Sequence, residues 1–280
     1  MRVLVTGGSG FLGRHVLATA PPEAEVCAPT SQEMDVTDPA GVLEVVRSFE
    51  PQVCIHLAAQ SSQTRSTKDP GRAEQVNASS IGHLLEAVSS KTRVLFVSSC
   101  HVYGPPEELP IPETHPLKGL GVYAQSKIKG EAITRSFEDK DWLIVRPFNL
   151  TGPGQSPHFA AADWASQWVR GAREIQTGDL SLRRDYLDVR DAAHGIWHLM
   201  EHARSQESIN VCSGHATRLS EIFRWAAPHS RPLEDKARFR PTDVPELCGD
   251  PSRAQELGWR PRVDLVESLS DLRATLSAQA

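Results

Sequence analysis

RVLVTGGSGFLG, residues Arg2 to Gly13, decides the reading of the whole chain. Arg2 to Thr6 is a short β-rich run with no polar face, the pattern of a strand buried on both sides of a parallel sheet. It runs directly into Gly7-Gly8-Ser9-Gly10-Phe11-Leu12-Gly13. Glycines at 7, 10 and 13 permit a tight turn, close backbone approach to a pyrophosphate, and close packing of the following helix on the strand. The helix beginning there offers unpaired N–H groups and a positive dipole end to phosphates. The segment therefore predicts a dinucleotide cradle made by Gly7, Ser9, Gly10, Phe11, Leu12 and Gly13.

Outward from this loop, strand and helix patterns alternate. Further strands are expected at Glu25–Ala28, Val53–Leu57, Val94–Val97 and Trp142–Val145. Between them, Asp38 caps a helix with Pro39 in its first turn and Val42, Val45, Val46 and Phe49 on one face. Other helices are expected over 70–88 and 123–137. This alternation predicts an α/β fold, a Rossmann-like doubly wound parallel sheet covered by helices on both faces. Residues 1–150 form the expected dinucleotide-binding domain, with a strand near 208–212 returning to its sheet. Residues 151–280 are expected to be mainly a smaller C-terminal substrate-binding lobe. There the pattern is less regular: a helix around 163–173, an irregular stretch to Arg184, then helices over 188–203, 220–225 and after Asp264.

Composition narrows the function. The chain has 280 residues and a formal net charge of −5, with Lys and Arg scattered, which gives no electrostatic footprint for nucleic acid. Five cysteines, an odd number without zinc-ligand or redox spacing, are expected to be reduced thiols. No apolar run approaches membrane-spanning length. A cytoplasmic protein without membrane or nucleic-acid partners is the expectation.

An acid at the end of strand two bonds the adenosine 2′-hydroxyl in NAD-binding sites. Here Ala28-Pro29-Thr30-Ser31 leaves Thr30 in that region, and Arg14 stands just inside the first helix to face a 2′-phosphate. NADP(H) is favoured and NAD(H) remains possible, since Arg14 has a solvated surface role as its alternative. Asp35 and Val36 suit contact with the adenine amine; the alternative for Asp35 is a turn residue.

Tyr123-Ala124-Gln125-Ser126-Lys127 places two side chains one helical turn apart on one face. A lysine ammonium beside a phenol favours the phenolate and is expected to lower its pKa from about 10. That would tune Tyr123 for proton transfer.

The segments Thr6–Gly13, HLAAQS (His56–Ser61), VSSCHVYG (Val97–Gly104), YAQSK, RPFN (Arg146–Asn149), TGPGQ (Thr151–Gln155), RRDYLDVRD (Arg183–Asp191) and Arg240–Trp259 together resemble the extended short-chain dehydrogenase/reductase family. The likeness is to its nucleotide-sugar branch, nearest the GDP-mannose-type dehydratases and 4-keto-6-deoxy-sugar reductases. The resemblance implies Ser99, Tyr123 and Lys127 as the catalytic group. It implies dinucleotide contacts at Leu57, Ala58, Ala59, Tyr123, Lys127 and Pro147. On the substrate side it implies Ser61, Ser99 and Asn149, with Arg184 and Arg240 gripping a nucleotide diphosphate. Two separated arginines suit that task because each can bind bidentately; surface solubility is their alternative, and packing is the expected role of Tyr186. A homodimer formed through a pair of helices, including the one bearing Tyr123, is also implied.

Dehydratases of this branch carry a glutamate directly after the catalytic Ser/Thr, where this chain has Cys100-His101. That favours NADPH-dependent reduction of the 4-keto group of a GDP-4-keto-6-deoxy-hexose over dehydration. Cys100 and His158 invite comparison with epimerase/reductases of the same family, although Cys100 stands one place from the expected cysteine position. A non-catalytic NADP-binding sensor is the alternative from another class, and retention of Ser99, Tyr123 and Lys127 speaks against it.

Overall fold

The computed structural model describes residues 1–240 and 242–279. In chain order its elements are β1 (Arg2–Thr6), α1 (Phe11–Ala18), β2 (Glu25–Cys27), α2 (Pro39–Phe49), β3 (Val53–His56), α3 (Gln63–Lys68), α4 (Pro70–Glu74), α5 (Ser80–Ala87), β4 (Arg93–Val97), α6 (Gly121–Ser136), β5 (Asp141–Pro147) and β6 (Asn149–Thr151). There follow α7 (Ala160–Val169), β7 (Glu174–Thr177), β8 (Arg183–Asp188), α8 (Val189–His202), β9 (Glu207–Val211), β10 (Ala216–Arg218), α9 (Leu219–Ala226), β11 (Arg231–Glu234), β12 (Glu246–Leu247), α10 (Ser252–Glu256) and α11 (Leu265–Ser277).

Six strands form one parallel sheet in the order β2-β1-β3-β4-β5-β9. This is the Rossmann-like sheet expected from the sequence, and β9 is the returning strand. Side-chain alternation splits its core in two. Val3, Val5, Ile55, Leu95, Leu143 and Val145 pack with Val16 of α1 and Ala192, Ile196 and Leu199 of α8. Leu4, Cys54, Val94, Phe96 and Ile144 pack with Val42 and Val46 of α2 and Ile81, Leu84 and Leu85 of α5. Strand pairs Thr6↔His56, His56↔Phe96 and Val97↔Val145 bring the carboxyl ends of β1, β3, β4 and β5 to one edge. The strand order reverses between β1 and β3, and in open α/β sheets the ligand crevice lies at such a point.

Several elements depart from the pattern. The expected helix over 70–88 is divided by a π-helical turn, Gln75–Ser79. There Asn77 Nδ2 donates to Ser126 Oγ of α6 at 2.9 Å, and the N–H of Gln60 donates to Asn77 Oδ1 at 2.8 Å. A Cβ on Gly130 of α6 would lie 2.6 Å from the Asn77 carbonyl oxygen. The helices thus approach at backbone distance, and π-bulges recur at such adjustments. The helix expected over 163–173 instead begins at Ala160 and ends at Val169, followed by Gly171 at φ +84° and β7. β8 carries β10, β12 and β6 as partners, and β7 pairs with β11. These small sheets stand where the sequence suggested only irregular chain.

Candidate active site

The carboxyl edge of the large sheet opens into a cleft of about 660 Å³ between the glycine loop, α6 and the elements after Thr151. Gly7 sits at φ +72°, and a Cβ there would lie 2.6 Å from the Ala58 nitrogen. A Cβ on Gly13 would lie 2.2 Å from the Gly7 carbonyl oxygen. The loop is therefore pressed between α1 and the chain leaving β3, and neither position admits a side chain. Gly10 precedes α1 with no side-chain cap, and the first turn of that helix, Phe11 to Gly13, lines the cleft, so its N–H groups have no side-chain acceptor at the cap among the described residues. Gly7, Gly10, Phe11, Leu12 and Gly13 all lie on the cleft wall, and the cradle they make has the shape and the free N–H groups that a dinucleotide pyrophosphate would need.

Ser99 leaves the end of β4 in extended conformation and caps the short turn Cys100–Val102. Tyr123 and Lys127, both buried in the first two turns of α6, face it across the cleft. Lys127 Nζ donates to the Val97 carbonyl at 2.7 Å and lies 4.8 Å from the centre of the Phe96 ring. Burial brings the Lys127 pKa down to about 7, against an upward pull from Glu131. Burial raises the Tyr123 phenol to about 12, opposed by a hydrogen bond with Ser99. The expectation that Lys127 draws the phenol toward neutrality is thus corrected. The lysine is turned to a carbonyl, and loss of water at the buried phenol dominates the shift. Tyr123 is a protonated acid at neutral pH.

His101 completes this group. Its Nδ1 lies 3.1 Å from Ser99 Oγ and 3.7 Å from Cys100 Sγ, and its ring meets Tyr123 edge-on at 5.8 Å. Burial, then the charges of Arg184 and Arg240, lower its pKa to about 4. Cys100 is buried and its thiol is pushed up to about 12, chiefly by burial. His158 lies on the cleft wall with Nε2 at 3.3 Å from Arg65 Nη2.

On the far wall Arg184 is 7% exposed and donates to the carbonyls of Arg183 and Val244, both at 2.8 Å, and pairs with Asp243 at 3.4 Å. It is no surface solubiliser. Arg240 is exposed at the cleft rim; Pro241, within the Arg240–Trp259 segment, lies outside the described residues. Asn149 Nδ2 donates to the Asp185 carbonyl at 3.0 Å, and Asn149, Ser61, Leu57, Ala59, Pro147 and Tyr186 all line the cleft.

Other expected residues stand off this wall. Ser9 is exposed, and Ala58 contributes its N–H to Thr6 Oγ1 at 3.2 Å. Arg14 is exposed with Nη2 on the Gly154 carbonyl at 3.1 Å. Thr30 donates its N–H to Glu33 at 2.7 Å. Asp35 accepts from the N–H and hydroxyl of Thr37 and pairs with Arg72 at 3.4 Å, the contacts of a turn residue. The Val36 carbonyl meets His83 Nδ1 at 3.2 Å. Sequence reasoning missed the part of the wall made by Asp163, Asp179 and Arg238, where Asp163 and Arg238 pair at 3.3 Å. Those two are far apart in the chain, so no local motif could announce them.

Beneath the glycine loop, His56 is bonded to Thr6 Oγ1 and Ser80 Oγ, both at 2.9 Å. Burial, then the Lys127 charge, depress its pKa to about 3. The unfolded chain binds this proton below about pH 6.5 and the folded chain does not. Stability from this group is therefore complete above that pH and falls as pH drops from there toward 3, at about 1.4 kcal/mol per unit. Melting temperature measured from pH 7 to 4.5 should fall less steeply in His56→Gln; an unchanged slope would contradict the assignment.

The family model for GDP-mannose 4,6 dehydratase matches residues 22–272. The chain is 31% identical to GDP-6-deoxy-D-mannose reductase of Pseudomonas aeruginosa, over 99% of this chain and 96% of that protein. It is 31% identical to GDP-6-deoxy-D-talose 4-dehydrogenase of Aggregatibacter actinomycetemcomitans, over 90% of each. Among solved structures it superposes on RMD from Pseudomonas aeruginosa complexed with NADPH with a TM-score of 0.90 and 29% identity, covering 100% of this chain and 99% of that one. Thermus thermophilus UDP-glucose 4-epimerase, complexed with NAD, gives 0.88 and 28%, covering both chains fully. Fold, cleft and sequence agree: this chain belongs to the GDP-mannose 4,6 dehydratase family of extended short-chain dehydrogenases/reductases.

Proposed function

We propose that the protein is an NADPH-dependent reductase of the 4-keto group of a GDP-4-keto-6-deoxy-hexose, giving a GDP-6-deoxy-hexose of rhamnose type. The observation that carries this reading is the pairing of a protonated Tyr123 acid with Ser99 in a cleft where the residue two places after Ser99 is a buried, neutral histidine. Dehydration, or epimerisation by deprotonating a carbon beside the ketone, needs a base beside the Ser/Tyr pair. His101 near pKa 4 and Cys100 near 12 are poor candidates at neutral pH. Reduction needs only the dinucleotide's hydride, an acid and a bound ketone.

When bound, the dinucleotide supplies hydride to C4. Gly7, Gly10 and Gly13 with the start of α1 would hold its pyrophosphate, and Lys127, anchored on the Val97 carbonyl, would hold the nicotinamide ribose. Ser99 and Tyr123 donate to the carbonyl oxygen, and Tyr123 delivers its proton as the alkoxide forms. Donors preorganised toward developing charge contribute a few kcal/mol each. Arg184 and Arg240 bind the diphosphate, with Ser61 and Asn149 on the sugar side. Arg14, which donates to the Gly154 carbonyl and has no carboxylate partner among the described residues, supports NADP(H), and NAD(H) is the second choice. We carry a homodimer and a cytoplasmic address in the same reading, the latter in keeping with five free cysteines. No helix of the described residues is long and apolar enough to cross a membrane.

The test is to generate GDP-4-keto-6-deoxy-mannose in situ, add the protein with NADPH or NADH, and follow cofactor oxidation and product by NMR. Formation of a single C4 epimer is expected, with NADPH preferred. No oxidation by a folded, NADPH-binding protein would overturn the substrate assignment.

A further inference from the structure

The residue after the Ser99-Cys100 pair has no place in the mechanism above, yet it touches both oxygen donors of the site. The Ser99 hydroxyl has one proton and must give it to the carbonyl oxygen if two donors are to meet the forming alkoxide. Its oxygen already accepts from the His101 backbone N–H at 3.3 Å, and the imidazole Nδ1 stands at 3.1 Å. Two arrangements satisfy that short contact. Either Ser99 donates to Nδ1, spending its proton on the protein, or Nδ1 carries the proton and donates to Ser99 Oγ. Only the second keeps the serine proton off the imidazole, available to the Tyr123 oxygen in the free site and to the ligand when it binds.

We propose that His101 is a positioning residue for Ser99: its neutral, Nδ1-protonated imidazole donates to Oγ and so aims the Ser99 proton at the sugar carbonyl. This deepens the reductase reading and rests on it. The surroundings favour a fixed neutral ring. Arg184 from β8 and Arg240 from the rim both oppose a positive imidazole, and no carboxylate bonds to it among the described residues. Edge-on contact with Tyr123 and the neighbouring Cys100 sulfur keep the ring from rotating away from the serine. A glutamate here would also reach toward the ligand, but as a carboxylate it has no proton to give Ser99 and would compete for the serine's own. The histidine thus suits a site that polarises a ketone.

Two measurements test this. In the free protein labelled with ¹⁵N-histidine, the His101 signal, identified by its loss in His101→Phe, should have the shift pattern of a protonated Nδ1 and a bare Nε2 at pH 7. Ser99→Ala should erase or reverse that preference. A bare Nδ1 in the unaltered protein would overturn the proposal, whatever the substrate proves to be. In the reductase assay, His101→Phe keeps an aromatic ring against Tyr123 but removes the donor. It should lower kcat by about 10-fold or more, with KM and NADPH affinity within about threefold. His101→Asn, whose amide nitrogen can occupy the Nδ1 position, should recover most of kcat. Phe and Asn variants equally impaired, or a Phe variant as fast as the parent, would overturn it. Failure of the unaltered protein to reduce any GDP-linked keto sugar would count against the substrate reading alone, and the NMR result would still decide the role of His101.

Discussion

Tyr123→Phe is expected to reduce keto-sugar turnover by about 10²- to 10⁴-fold, the range a positioned general acid contributes. The phenol is buried, and losing its hydroxyl leaves no charge uncompensated, so folding should survive with little change in melting temperature. NADPH affinity should also hold, because the glycine cradle and Lys127 are untouched. The effect should fall on kcat with KM nearly constant, since the proton moves only as charge develops on the oxygen. Steady-state NADPH oxidation and NADPH binding, measured on the same preparation, check both halves. A variant within tenfold of the parent would mean that Ser99, or solvent, supplies the proton, and the chemical centre would have to be redrawn. The raised pKa gives the direction of pH dependence. An acid must be protonated to act, so Tyr123 should not limit reduction at neutral pH and should begin to do so only as pH rises toward 12.

The parts of this site that were legible beforehand are those written in consecutive residues. A strand that runs into Gly7, Gly10 and Gly13 can be read without its distant partners, because Gly10 and Gly13 answer to clashes within the loop itself; only the clash of Gly7 with Ala58 comes from far along the chain. Tyr123 and Lys127 are one helical turn apart and face one way by helix geometry alone. Arg184 was legible only as a motif residue. Its burial against Val244 and Asp243 depends on β12 pairing beside β8, a contact between segments about sixty residues apart. The small strands β6, β7, β10, β11 and β12 were illegible for the same reason. They are two to four residues long and acquire strand geometry from their partners, not from periodicity. The sign of the Tyr123 shift was misread because sequence spacing shows that a cation is near but not where its hydrogen bond goes. Lys127 turns to the Val97 carbonyl, and burial then dominates.

Glu131→Ala should cost about 3–5 kcal/mol of folding stability, the usual result of stripping one partner from a buried ion pair. Tyr123, Lys127 and Glu131 recur every four residues along one face of α6, and the third anchors the first two. Glu131 accepts from Arg146 Nε at 2.9 Å and Nη2 at 2.7 Å, and from Ser98 Oγ at 2.6 Å. Both charged side chains are essentially inaccessible, at 1% and 2%. Arg146 also donates to Tyr103 Oη and the Glu113 carbonyl, and Tyr103 donates to Asn210 of β9 at 2.6 Å. The pair therefore ties α6 to β5 and to the returning strand at once. Removing the carboxylate leaves a guanidinium buried with neutral acceptors only, which urea denaturation should register as a large fall in midpoint. A second consequence separates this role from generic destabilisation. Glu131 is the charge that holds the Lys127 pKa up against burial, so its loss should move any activity limb governed by Lys127 to lower pH. Glu131→Ala/Arg146→Met, which removes the stranded charge, should recover much of the stability. It should not restore the position of that limb. A single variant losing less than about 1 kcal/mol would show that Tyr103 and the Glu113 carbonyl satisfy Arg146 unaided, and that α6 is held by packing against Phe96 and Asn77 instead.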